Sequence, residues 1–340
     1  MLRAQQQWVN SDHSCLHPNA SPETCSKKVI SSHTVQRNGG LSEIAENQHV
    51  LSIKKAFSNI ERNGGELVPE LIGLRSASTF PGFCNAHDTE MFRPVEEPGA
   101  QLSKENVFLL SYRAIGYEYV MKQYNRANHA VERDNMDRGH EFSKQVMVQN
   151  FLDIRLEGVK RALGDIDRWK ERYVNAYNAN DYSNFHVYGV TFDSIFPFVA
   201  SGAFMPEYDL TGIPLQKLAT SANLDELAIN VTVLGGVTVA SFGWWGDVDG
   251  PSSRFVHSFA TLPDEEKAKK LAVFVFEHLE NVYLKPSWWE SRPQEEKDAL
   301  LDLFKGGLFI RTPSAFTTEH TFELSGKVRA VLDLRPSEQA

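Results

Sequence analysis

Cysteine is scarce in this chain, with three residues in 340. With so low and odd a count a disulfide framework would be sparse, and in a reducing compartment thiols grouped with histidines read as metal ligands. The opening stretch MLRAQQQWVNSDHS lacks an apolar run of signal-peptide length, and no run of ~18 apolar residues occurs anywhere. Neither export nor a membrane span is therefore expected, and the expected location is the cytoplasm. An excess of positive charge is missing too. Thirty-five Lys and Arg stand against 44 Asp and Glu, a net charge of −9, which argues against a large non-specific nucleic-acid footprint. A local basic patch near Lys27, Lys28, Arg37, Lys54 and Lys55 stays compatible with that balance.

Several catalytic signatures are absent as well. No Gly-x4-Gly-Lys-Ser/Thr phosphate loop and no Gly-x-Ser-x-Gly elbow occurs. His140-Glu141 opens like a zinc-protease helix, yet Lys144 occupies the place of the second histidine. Asp247-Val-Asp249-Gly250 begins like a calcium loop with no acid to close it and reads as a polar turn. Trp244-Trp245 and Trp288-Trp289 read as core or interface side chains.

The composition that remains is ordinary for a globular protein, with 41% hydrophobic and 23% charged residues. The expected fold class is α+β in three regions, 1–98, 103–182 and 184–335. The first holds every cysteine and ends in FRPVEEPGA, which reads as a linker. The second is helical, with Ser103 as N-cap and Val107, Leu110, Ala114, Tyr117, Met121 and Tyr124 at helical spacing. After the polar break HAVERDNMDRGH, a longer helix carries Leu152, Leu156, Val159, Leu163 and Ile166. The two predict an antiparallel helical hairpin, with a seam that could also pair with a second copy.

The third region predicts an α+β domain with a mainly antiparallel sheet. LAINVTVL and VTVASFGWW flank Gly235-Gly236, which can supply the positive φ of a tight hairpin. Phe185–Phe192 and Phe255–Thr261 read as further strands. Helices are expected from near Pro263, with Asp264, Glu265 and Glu266 at its positive end, and over about 294–305, stopped by Gly306-Gly307.

The residues that carry chemistry are Cys15, Cys25, Cys84 and His87. Zinc takes four sulfur or nitrogen ligands in a tetrahedron, and two pairs can supply them. The two-residue gap in Cys84-Asn-Ala-His87 lets one tight turn aim both side chains at an ion, whereas nine residues separate Cys15 from Cys25. His17 could replace either of that looser pair. Zinc in such a site is expected to be structural, its binding energy becoming folding energy.

The stretches KKVISSHTVQRNGGLSEIAENQHV and ASTFPGFCNAHDTEMFRPVE resemble a family of uncharacterised bacterial proteins over about residues 15–96. More distantly, the same segment is similar to HNH-type treble-clef modules. In that comparison Cys15 and Cys25 match the first zinc pair, and Cys84 and His87 the second. The resemblance implies His33 as general base against a phosphodiester, Asn47 as the central Asn and Asp88 as a ligand of Mg²⁺ or Mn²⁺. The chain departs from the pattern in three places: Ser32 replaces an acidic residue, Asp88 stands where a histidine is usual, and the gap from His33 to Cys84 is long.

Three function classes follow. The first expected is a zinc-binding module that recognises nucleic acid or protein without catalysis. The second is a divergent HNH-like nuclease, and the third is an enzyme whose site lies in residues 184–335.

Overall fold

A computed structural model of the chain describes residues 13–55, 60, 63–219, 223–307, 312–314, 322 and 324–336. The chain divides into two compact units. The smaller is built from residues 1–32, 80–91 and 115–180, and the larger from 33–79, 92–114 and 181–340.

Strand β1 (Val29–His33) lies beside β4 (Thr79–Cys84), and the smaller unit takes in all of both but His33 and Thr79, with the first turns of helix α1 (Asn85–Glu96) and most of the helical hairpin. The hairpin helices are α2 (Lys104–Asn135) and α3 (Phe142–Ala179). Ser103 caps α2 as its sequence predicts, its Oγ accepting the Asn106 N–H at 3.2 Å. The expected polar break is shorter than HAVERDNMDRGH, because α2 continues to Asn135 and Arg133 and Glu132 pair across the hairpin with Asp153 and Arg155. Leu152, Val159, Leu163, Ile166, Trp169 and Tyr173 form the buried stripe of α3. Asn180, left-handed at φ 48°, ends it.

The expected linker FRPVEEPGA is largely helical. α1 runs to Glu96 with Pro94 inside its last turn, where a lost N–H costs a single hydrogen bond.

The larger unit is organised on an eight-stranded sheet in the order β10-β5-β8-β7-β6-β9-β2-β3, and every neighbouring pair is antiparallel. Its strands are β2 (His49–Ser52), β3 (Glu70–Gly73), β5 (Phe185–Phe192), β6 (Phe198–Phe204), β7 (Leu227–Leu234), β8 (Val237–Trp245), β9 (Val282–Leu284) and β10 (Val328–Leu334). Gly235 and Gly236, at φ 58° and 81°, make the two-residue turn from β7 to β8. β2 and β3 lengthen this sheet through β9, so the boundary expected at residue 98 does not coincide with a unit boundary.

Phe255–Thr261 is helix, not strand. Helix α4 (Pro251–Ala260) has Pro251 in its first turn and buries Ser252, Phe255, Val256 and Phe259, the three- and four-residue steps of a helical face. Helices α5 (Asp264–His278) and α7 (Gln294–Gly306) form where the sequence predicts, with the short α6 (Pro286–Glu290) between them. Phe255, Phe259, Leu271, Phe274 and Phe276 pack on Tyr188, Ile229, Phe242 and Trp244 to make the main core.

On the opposite face of the sheet, Gly243 lets the start of α2 approach closely. A Cβ there would meet Val107 and the Ser111 hydroxyl. Lys55, expected in a basic patch, is instead 7% exposed. Its ammonium donates to the carbonyls of Phe276 and Glu277 at 2.8 and 2.7 Å, capping the end of α5.

Candidate metal centre

The smaller unit gathers Cys15, Cys25, Cys84 and His87. Their ligand atoms all lie within 4.8 Å of one another. Cys84 is the last residue of β4, and His87 lies in the first turn of α1, so the strand-to-helix junction presents both.

The looser pair is closed by two consecutive turns. The Ala20 N–H donates to the His17 carbonyl at 3.0 Å, and the Cys25 N–H to the Ser21 carbonyl at 3.0 Å. Ser21 and Thr24 cap each other's backbone N–H, and the Thr24 hydroxyl donates to the Asn19 carbonyl at 2.7 Å. The Leu16 N–H reaches the Gly82 carbonyl at 2.9 Å, docking the loop on β4.

The geometry of the four side chains is that of a group that could hold a metal ion. The three sulfurs lie 3.5 Å (Cys15), 3.7 Å (Cys25) and 3.4 Å (Cys84) from the same atom, His87 Nδ1. One imidazole nitrogen carries either one proton or one lone pair, so hydrogen bonding can account for only one of these approaches. A shared ion accounts for all three. Metal–sulfur bonds of ~2.3 Å and metal–nitrogen bonds of ~2.0–2.1 Å place S and N about 3.6 Å apart along a tetrahedral edge.

The surroundings favour a thiolate at Cys84. The Ser26 N–H donates to Cys84 Sγ at 3.4 Å, the Cys84 N–H donates to Cys15 Sγ at 3.3 Å, and the Ser26 hydroxyl accepts the Ala86 N–H at 2.9 Å. Burial opposes ionisation of Cys84. N–H groups of His87 and Ser26 outweigh it and hold the thiol down to about 7. Cys15 is pushed up to about 12, chiefly by burial and further by the neighbouring charges of Cys84 and Cys25. Three thiols crowded together ionise jointly only beside a cation.

His17 does not belong to the ligand set. Its Nδ1 accepts the Asn19 N–H at 3.1 Å, its Nε2 faces the Tyr177 hydroxyl at 3.4 Å, and its ring stacks on His87. It supports the His87 ring, and no spacing rule in the sequence marks it or Ser26 for such a role.

His33 and Asp88 take other positions. His33 ends β1 and donates from Nε2 to the Leu74 carbonyl at 2.9 Å. Burial holds its pKa down, and the charges of Arg113 and Arg37 add to this against the Leu74 carbonyl and Glu96. Asp88 lies in the first turn of α1, where a carboxylate complements the helix N-terminus. Neither is part of the Cys3His group, which is the one group of its kind found among the described residues. Ser32 is buried and accepts the Phe83 N–H at 3.2 Å, a strand-to-strand contact. Asn47 sits at φ 50° in the turn before β2, its carbonyl accepting from His49 Nδ1 at 2.7 Å.

The larger unit has a polar cleft of its own, about 630 Å³, lined by Asp209, Asp249, Ser253, Arg254, His257 and Arg335 among others. Some of its groups already have partners. Asp209 Oδ1 accepts three hydrogen bonds from Thr211 and Ile213, and Arg335 pairs with Asp333 and reaches His257.

Comparison with protein-family models, with curated proteins and with solved structures finds no match to this chain. No described helix is long and apolar enough to cross a membrane.

Proposed function

We propose that Cys15, Cys25, Cys84 and His87 hold one structural Zn²⁺, and that the module it staples is a recognition element rather than a catalyst. The observation that carries this reading is the convergence of three sulfurs on His87 Nδ1 at tetrahedral-edge distances. Three sulfurs and one imidazole suit zinc among the common divalent ions. Four protein ligands close the shell, so no position is left for a reactive water, which marks a structural site. The ion would fasten the loop bearing Cys15 and Cys25 to the β4–α1 junction, the placement of ligand pairs that makes the treble-clef comparison apt. The acidic balance of the chain favours a protein partner over a nucleic-acid one.

X-ray absorption at the zinc edge of the purified full chain tests this. Three sulfurs at ~2.3 Å and one nitrogen at ~2.0–2.1 Å are expected. An oxygen ligand in place of a sulfur would mean an open, catalytic site.

The divergent HNH-like nuclease is the second reading. It is favoured by His33, whose Nε2 proton is committed to Leu74 and whose Nδ1 is thereby left as a base. Mg²⁺ or Mn²⁺ would supply the Lewis acid for such hydrolysis. Plasmid cleavage in either ion, lost in His33→Ala, would establish this reading. Absence of cleavage, or cleavage indifferent to that substitution, would end it.

A further inference from the structure

The outward face of α3 carries apolar side chains that nothing in the smaller unit covers. Met147 is 72% exposed, Phe151 51% and Ile154 74%. Together with Gly158 they stand at successive steps of four, three and four residues. At about 100° per residue these four positions fall on one narrow line of the helix, opposite the buried stripe of Leu152, Val159 and Leu163. Phe142 and Val146, also exposed, point well away from this line.

We infer that this line is a self-complementary seam, through which two copies of the chain pair their α3 helices antiparallel about a two-fold axis near residues 152 and 153. The steps read the same in both directions. The pairing therefore sets Phe151 against the partner copy's Ile154 and Met147 against its Gly158, and repeats each contact across the axis. The longest side chain of the seam meets the position with none. A Cβ at Gly158 would meet nothing within 4 Å, so the space above it is open. Glycine inside a helix costs about 1 kcal/mol relative to alanine, and a receiving hole for Met147 gives that cost a purpose. A parallel pair would instead stack Met147 on Met147 and leave Gly158 facing Gly158 across a void.

This register sets Lys144 against the partner copy's Arg161 at both ends of the seam, so like charges meet at its exposed rim, where solvent and salt screening keep their cost small. Arg155 and Glu157, beside the seam, are already paired with Glu132 and Lys160 of their own copy. Met147, Phe151 and Ile154 offer on the order of 400 Å² per copy. With the stems of the flanking residues, the pair reaches about the 1,000 Å² that a specific interface needs.

Sedimentation velocity of the purified full chain at tens of micromolar tests the inference. The wild type should sediment as a dimer of the 38.4 kDa chain. Ile154→Glu should raise the dissociation constant by about a hundredfold or more, since each copy then buries an unpaired charge. Gly158→Leu adds apolar surface yet fills the hole for Met147, and should weaken pairing by about tenfold. A monomeric wild type, a dimer indifferent to Ile154→Glu, or tighter association in Gly158→Leu would overturn the inference. So would binding to neutral phosphatidylcholine vesicles that Ile154→Glu abolishes and Gly158→Leu strengthens, which would assign the face to lipid.

Discussion

His17 lies flat against His87, their ring centroids 3.9 Å apart and their planes 7° from parallel. The stack fixes the ring plane of the one imidazole in the Cys3His group, and the bonds of His17 to Asn19 and Tyr177 fix the support itself. Ligand orientation in metal sites generally depends on such outer contacts.

His17→Ala should therefore leave the protein zinc-loaded but bind the ion about tenfold more weakly, the lower end of the range for supporting groups. Loss of the stacked ring should also lower stability by about 1 kcal/mol. Competition with a chromophoric chelator measures the first and a denaturant midpoint the second. Complete loss of zinc would make His17 a ligand and displace one of the cysteines.

Lys55 predicts a pH dependence. Burial is the main cause holding its ammonium down to about 7 from an ordinary 10.5, against the nearby charges of Glu280 and Glu277. Between those values the unfolded chain keeps a proton that the folded chain has released, so the contribution of Lys55 to stability rises with pH across that window. The difference in denaturant midpoint between wild type and Lys55→Met should change steadily from pH 7 to about pH 10. A constant difference would show that Lys55 titrates normally. At neutral pH the substitution also strands the carbonyls of Phe276 and Glu277, a loss of about 1–3 kcal/mol offset in part by removing a buried charge.

Gly243→Val should destabilise the larger unit by about 1–3 kcal/mol, because the added atoms collide with Val107, Ser111 and Phe185. The substitution lies outside the smaller unit, so zinc content should be unchanged. Urea denaturation together with metal analysis checks both statements.

What the sequence discloses is local. The Ser103 cap, the Gly235-Gly236 turn and the Asp264–Glu266 helix start are each specified by neighbours in the chain, and each forms as expected. The Cys3His group is legible for a related reason, since a two-residue gap constrains Cys84 and His87 directly. The nine-residue gap from Cys15 to Cys25 looks loose only until the reciprocal Ser21 and Thr24 caps fold it. The segment Phe255–Thr261 misleads because Phe and Val favour strands, while the first-turn proline and the spacing of its buried residues select a helix. Long-range partners stay hidden. Nothing near Lys55 announces carbonyls more than 200 residues away, and nothing in HVLS announces that β9 will pair with it.

The most direct test is the zinc content of the purified full chain, by elemental analysis against protein concentration, in wild type, Cys84→Ser and His87→Ala. The account predicts close to one zinc per chain in the wild type and a loss of most of it in either variant. A wild type without zinc, or a Cys84→Ser protein that keeps its full complement, would contradict it.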